Sequence, residues 1–247
     1  MKLALLTDLH ANREAFEACL DHAHRCGATD YAILGDLVGY GADPAWVVDT
    51  VRALASRGAI VLKGNHDESA AEGPRPTMVE DARQVIAWTR AQLDAAQLAF
   101  LEALPLTVER AGCLFAHANT WAPADWEYVT SRHDAVRCLQ ATTARHVFIG
   151  HVHEPQLYHL AGTGKTGQFT PVSGVAIPVP AHRQWLVLPG SVGQPRDGNP
   201  AACWALYDSD SLNLSFHRVP YDQEAAAAKI RRAGLPERLA QRLIEGR

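Results

Sequence analysis

Five short apolar runs, at residues 3–7, 31–34, 59–62, 113–116 and 146–149, each end in a polar segment built from Asp, Asn or His. No other feature of the chain restricts its fold so tightly. Runs of this length read as buried strands. The segments that follow them are Asp8-Leu9-His10, Gly35-Asp36, Gly64-Asn65-His66-Asp67, His117 and Gly150-His151-Val152-His153. In open α/β sheets, ligands lie beyond the carboxyl ends of the strands. These segments, far apart in sequence, are therefore expected to converge on one crevice.

The stretches between the runs support that placement. A helix is expected from Asn12 to about residue 26, with Ala15, Phe16, Cys19 and Leu20 on one face and Gly27 as its stop. Asp43 before Pro44 reads as an N-cap followed by proline at the first helical position, opening a helix to about residue 57. Strand and helix thus alternate over the first 65 residues, as in a parallel sheet with helical crossovers. Thr77 to Glu80 and Asp94 to Gln97 both fit capping boxes, predicting helices over 78–92 and 95–104 that end at Pro105. They form an insertion over about 70–104 that serves either as a lid or as one more packed layer. A hairpin over 108–116 should turn at Ala111-Gly112, with a helix near 134–141 after it. Further strands are expected at 157–160, 184–188, 203–207 and 212–219, then helices broken at Gly234-Leu235-Pro236. With no internal repeat and no linker, residues 1–247 read as one domain.

The polar segments offer carboxylates, an amide and imidazoles, and no thiolate. Such oxygen and nitrogen donors suit Mn²⁺, Fe, Zn²⁺, Ni²⁺ or Mg²⁺ rather than a soft metal. Two such ions can clamp the attacking and leaving oxygens of an in-line displacement. Two divalent ions, less the charges of Asp8, Asp36 and a bridging hydroxide, leave a net charge of about +1, which draws in phosphate. Asn65, a neutral oxygen donor, preserves that excess.

The order Asp-x-His, Gly-Asp, Gly-Asn-His-Asp, His, Gly-His-x-His resembles the calcineurin-like metallophosphoesterase family over residues 8 to 153. The longer strings at 7–12, 35–41 and 188–196 look like a bacterial and archaeal branch whose members are described as phosphodiesterases or diadenosine-tetraphosphatase-like proteins. The resemblance implies an α/β fold, a four-layer α/β/β/α sandwich with two facing mixed sheets. It implies that Asp8, His10 and His153 bind one metal, that Asp36 bridges, and that Asn65, His117 and His151 bind a second. Mn²⁺ is the expected metal. His66 is implied as the general acid for the leaving oxygen, with Asp67 as an orienting neighbour. A metal-bridging hydroxide would attack phosphorus. The implied substrate is a small phosphorylated molecule, with a nucleotide-like phosphodiester or phosphoanhydride favoured.

Two departures bear on this. Protein serine/threonine phosphatases carry Asp and Arg where this chain has Gly39 and Tyr40, which weakens the competing reading as a protein phosphatase. His117 sits between Ala116 and Ala118, where the family usually has Gly. A non-catalytic scaffold with the same fold would lack ligands that this chain has.

Arg13, Tyr40 and Arg196 are candidate substrate contacts. Trp121, Trp126 and Tyr128 could stack on a nucleobase, or simply pack. The remaining histidines (22, 24, 133, 146, 159, 182 and 217) are assigned to surface or packing. Gly162 to Thr166 imitates the end of a phosphate-binding loop, but His159 stands where its first glycine belongs, so it reads as an exposed turn. The formal charge of −4 lacks the basic footprint of nucleic-acid binding. The five cysteines show no CxxC spacing and read as free thiols in a reducing cytosol. The first apolar run ends at Asp8, too early for a signal peptide, and no run spans a membrane, so a soluble cytoplasmic protein is expected. Oligomeric state is not legible.

Overall fold

The alternation of the first apolar run decides how the layers form. In a computed structural model describing residues 1–74 and 80–247, that run becomes strand β1 (Lys2–Leu6). Successive strand side chains point to opposite faces. Leu3 and Leu5 accordingly enter one apolar cluster, and Ala4 and Leu6 another. Both faces of β1 are buried from Leu3 to Leu6, which is why those four residues are all apolar.

Helix α1 (Arg13–Arg25) starts at Asn12, whose side chain accepts from the Ala15 N–H at 3.1 Å. Strand β2 (Asp30–Ile33) then pairs parallel with β1. Helix α2 (Pro44–Ala55) leads to β3 (Ile60–Val61), which pairs parallel with β2. The predicted N-cap Asp43 makes no side-chain capping bond. Its carboxylate instead takes Lys229 Nζ at 2.7 Å, which Glu14 also holds at 2.6 Å. A stronger charge partner has displaced the capping role.

On the other side of β1 lie β11 (Ala202–Asp208), β12 (Asn213–Val219) and β9 (Ala176–Pro178), all antiparallel, giving the order β3-β2-β1-β11-β12-β9. The second sheet joins β4 (Thr107–Arg110), β5 (Cys113–Ala116), β6 (His146–Phe148), β10 (Arg183–Pro189), β7 (Pro155–Ala161) and β8 (Thr166–Phe169), in the order β4-β5-β6-β10-β7-β8. Both sheets are mixed. Phe115, Phe148, Trp185 and Val187 of the second meet Leu5, Tyr207, Leu214 and Phe216 of the first. Phe16, Val47 and Val51 of α1 and α2 cover the first sheet's outer face. Helix α6 (Arg132–Gln140) covers the second through Ala135, Cys138 and Leu139. The result is the expected α/β/β/α sandwich.

Helix α3 (Asn65–Glu72), not anticipated from the sequence, opens in the Gly-Asn-His-Asp motif, and α4 (Glu80–Gln92) and α5 (Ala95–Ala103) fill the predicted insertion. The Asp94–Gln97 capping box forms, with bonds of 2.8 and 3.0 Å. The Thr77–Glu80 box and the start of the preceding helix lie outside the described residues. Leu93, Leu101 and Leu104 join the core beneath α1 and α2, so α5 is part of the packed helix layer.

Helices α7 (Gln223–Arg232) and α8 (Glu237–Glu245) close the chain, parted at Gly234 as expected. Strands β8 and β9, absent from the sequence reading, are short and largely exposed. The phosphate-loop imitation is the hairpin turn between β7 and β8, where the Gly164 N–H donates to Ala161 O at 2.9 Å. All five cysteines are free. Among the described residues no helix is long and apolar enough to cross a membrane.

Candidate metal centre

The ends of β1, β2, β5 and β6 bring two groups of buried donor atoms together. Asp8, His10, Asp36 and His153 form one, and Asp36, His117 and His151 the other. Within each group the donor atoms lie within 4.8 Å of one another. Asp36 belongs to both. Its Oδ1 accepts from the His66 N–H at 2.9 Å. Its Oδ2 lies 3.7 Å from His10 Nε2 and 3.4 Å from His117 Nε2. One oxygen is thus fixed by the backbone while the other faces both groups.

The imidazoles are oriented by backbone carbonyls, which can only accept. The Nδ1–H groups of His10, His117 and His153 donate to Val38 O (3.1 Å), Leu34 O (2.7 Å) and Gln194 O (2.6 Å). His151 donates from Nε2 to Trp126 O at 3.0 Å. The other nitrogens face inward. His10 Nε2 and His153 Nε2 are 3.1 Å apart, and His117 Nε2 and His151 Nδ1 are 3.2 Å apart. Outer-shell bonds of this kind set the tautomer of metal-ligating histidines.

The residues fit divalent cations on three counts. Inward lone pairs at such distances repel unless a positive charge lies among them. Burial would lower the His117 imidazole, but the Asp36 carboxylate raises it to about 9, so a proton is drawn to the place a cation would take. Burial would raise the Asp8 carboxyl, yet His153 and His117 hold it well below the usual range. Finally, Asn65 Oδ1 is buried with no hydrogen-bond partner. An unsatisfied buried acceptor costs about 1–3 kcal/mol. It lies between Gly64 and His66, both of which touch Asp36.

The backbone is strained to present these groups. Asp8, His10, Asp36, Tyr40, His151 and His153 all have φ between 46° and 69°. Such residues cost about 1–3 kcal/mol each and persist where surrounding structure enforces them. Here the Asp8 and His10 N–H groups donate to Gly35 O at 3.0 Å and Asp36 O at 2.9 Å. Neither Ala116 nor Ala118 is among the positive-φ residues, so the methyl groups flanking His117 impose no backbone penalty.

The motif Gly-Asn-His-Asp acquires a distinct job for each member. A Cβ on Gly64 would collide with the Asp36 carboxylate. The Asp67 carboxylate accepts from Leu37 N (2.8 Å), Val38 N (3.3 Å) and Gly64 N (2.9 Å). This corrects its reading as an orienting neighbour of His66, for its oxygens are committed to fastening the loops after β2 and β3. Burial, then the Asp36 charge, raises Asp67 to about 7, against the pull of those N–H groups. The His66 ring packs at 4.4 Å from Tyr40 and 5.0 Å from His10, with Nδ1 buried and unpartnered. A Cβ on Gly39 would strike that ring. Gly39 and Tyr40 therefore build the pocket wall for His66.

Arg196 lies over Tyr40, 5.8 Å from its centroid, and is held by Gln194 Oε1 at 3.0 Å. Arg13 does not join the site. It pairs with Glu17 and stacks on Trp46, facing out from α1. Tyr128, half exposed, stacks on His151 at 4.0 Å. Trp126 donates from Nε1 to Glu68 at 3.1 Å, and Trp121 packs under Arg137, so neither is free to stack on a base. One rim residue escaped sequence reading. Arg242 of α8 lies close enough to Arg196 and Tyr40 that, after burial, the Arg196 charge lowers its guanidinium. No motif marks it, since only tertiary packing brings α8 to this edge.

A family model described as the calcineurin-like phosphoesterase superfamily domain matches residues 1–211. An uncharacterised protein of Methanocaldococcus jannaschii is 32% identical over 250 residues, covering 99% of this chain and 98% of that protein. The crystal structure of a metallophosphoesterase from Sphaerobacter thermophilus superposes with a TM-score of 0.88 at 35% identity, over 100% of this chain and 99% of that one. A hypothetical protein from Pyrococcus horikoshii shares the fold at 19% identity, with a TM-score of 0.81 over 100% and 98% of the two chains. The chain belongs to the calcineurin-like phosphoesterase superfamily and is a phosphoric ester hydrolase.

Proposed function

We propose that the chain hydrolyses a phosphodiester or phosphoanhydride bond in a small, nucleotide-like substrate, using two divalent cations that share Asp36. The observation that carries this is the pair of buried donor groups meeting at one carboxylate oxygen. Asp8, His10 and His153 would hold one cation with Asp36, and Asn65, His117 and His151 the other. Oxygen and nitrogen donors favour Mn²⁺, with Fe, Zn²⁺, Ni²⁺ and Mg²⁺ as competitors. When bound, the pair supplies a water of lowered pKa and neutralises charge on the phosphoryl oxygens.

The chain's own groups do the rest. Nδ1 of His66 is walled in against Gly39, which leaves Nε2 as the nitrogen able to give a proton to the leaving oxygen. Burial lowers this imidazole against the pull of Asp36, so its protonated form is a stronger acid and a less populated one. Arg196 and Arg242 place two cations at the rim, suited to a second phosphate. The half-exposed Tyr128 ring offers a face for a base. The free thiols suit a reducing compartment, and the cytoplasm is the proposed location.

The test is hydrolysis of bis-p-nitrophenyl phosphate and p-nitrophenyl phosphate by metal-stripped protein reloaded with Mn²⁺. Chelator-sensitive diester cleavage supports the reading. Manganese-loaded protein that cleaves neither ester overturns it.

A further inference from the structure

A second set of metal-ligating side chains lies about 15 Å along α1 from its start beside His10. His22 and Cys26 are four residues apart, so they share a face at the end of this helix. His217 reaches the same place from β12. The three donor atoms lie within 4.8 Å of one another. None of the three takes part in the Asp36 centre.

The spacing suits a tetrahedral ion. His22 Nδ1 lies 3.6 Å from Cys26 Sγ. Zinc bonds of about 2.05 Å to nitrogen and about 2.3 Å to sulfur, at a tetrahedral angle, put those atoms about 3.6 Å apart. His217 Nε2 lies 3.0 Å from Ser215 Oγ. With Nε2–H donating to that hydroxyl, Nδ1 is left as the ligand nitrogen, which is the usual outer-shell arrangement. The His217 ring stacks on Trp204 at 4.6 Å, and the His22 ring meets Trp204 edge-on at 5.7 Å. Trp204 is fully buried and gives the cluster a rigid apolar floor. Burial lowers both imidazoles, His217 to about 4 and His22 less markedly, so each is neutral and able to bind at pH 7. Arg25, near His22, opposes a bare dication, and the thiolate formed on binding offsets one of its charges.

We propose that His22, Cys26 and His217 form a second metal site that takes a thiophilic divalent ion, Zn²⁺ foremost, with water completing the shell. Nitrogen and sulfur donors select such an ion over Mn²⁺ or Mg²⁺, which the oxygen-rich Asp36 centre accepts. Bound there, the ion ties the end of α1 to β12.

Cobalt(II) distinguishes the two centres, because only this one contains a thiolate. Chelator-stripped protein titrated with Co²⁺ should develop a sulfur-to-cobalt charge-transfer band in the near ultraviolet. The band should disappear in Cys26→Ser and persist in Asp8→Asn, which disables the main centre. Ser215→Ala should weaken Co²⁺ binding at the thiolate site about 10-fold. Cys26→Ser should keep wild-type phosphoesterase activity, which also shows that the variant folds. Absence of the band at saturating Co²⁺ in folded wild-type protein overturns the proposal. So does its persistence in Cys26→Ser.

Discussion

Gly64→Ala should cost this protein its metal centre while leaving its fold largely intact. The backbone at Gly64, φ −101° and ψ 173°, is open to any residue, so the substitution carries no dihedral strain. The cost is steric. The new methyl overlaps Oδ1, Cγ and the backbone nitrogen of Asp36. Restoring normal contact requires the carboxylate to move by about 1 Å. That breaks the 2.9 Å bond from the His66 N–H, a charge-assisted bond worth about 1.5–3 kcal/mol. Overpacking adds about 1–3 kcal/mol, for a total of about 2.5–6 kcal/mol. Because Asp36 Oδ2 faces both donor groups, the same shift should weaken both of the proposed cation positions. A misplacement of about 1 Å costs on the order of 10²-fold in rate. Denaturant unfolding, manganese content after dialysis and diester turnover measure the three effects. Gly162→Ala is the control, since nothing lies near a Cβ there. If Gly64→Ala kept wild-type manganese affinity and turnover, the placement of Asp36 against Gly64 would be wrong.

Other outcomes follow from the same geometry. His66→Gln should retain full metal content and slow hydrolysis of a poor leaving group by about 10²–10⁴-fold, with a smaller effect on p-nitrophenyl esters; equal losses on both would contradict its role as an acid. Arg196→Ala and Arg242→Ala should each raise KM for a dinucleoside polyphosphate and leave p-nitrophenyl phosphate nearly unaffected, which steady-state kinetics would decide. In metal-stripped protein His117 sits at about 9, above the 6.5 of a free imidazole, so the folded chain holds that proton more tightly than the unfolded one. Its stabilising contribution is complete below pH 6.5 and lost as pH rises through 9. Wild-type apoprotein should therefore lose stability over that window relative to His117→Gln, and identical pH profiles of the unfolding midpoints would refute the assignment.

Much of this site was legible in the chain because its chemistry sits at strand ends. Asp8, Asp36, His117 and His151 each follow an apolar run whose length and composition mark a strand. The strands β1, β2, β3, β5 and β6 then formed where those runs predicted, within a residue or two. The capping signal also held at Asp94, whose side chain makes the expected bond, and the helix expected from Asn12 begins there with that side chain as its cap. Asp43 failed because Lys229, distant in sequence, offers its carboxylate a full charge. Asp67 and Arg13 were misread for a related reason. Each was judged by its sequence neighbours, while its partners are the backbone of another loop and the Trp46 ring. Arg242 and the cluster of His22, Cys26 and His217 carry no local pattern at all, since they are assembled only when helices and strands pack. Strands β8 and β9 were missed because exposed edge strands need no apolar alternation.

The sharing of Asp36 by two cations is tested most directly by metal analysis of protein loaded with Mn²⁺ in a Cys26→Ser background, where the thiolate site is removed. Two manganese ions should remain per chain after dialysis, and Asp36→Asn should lose both together with chelator-sensitive diesterase activity. A single bound manganese in the parent, or an Asp36→Asn chain that keeps one ion at full affinity, would contradict the account.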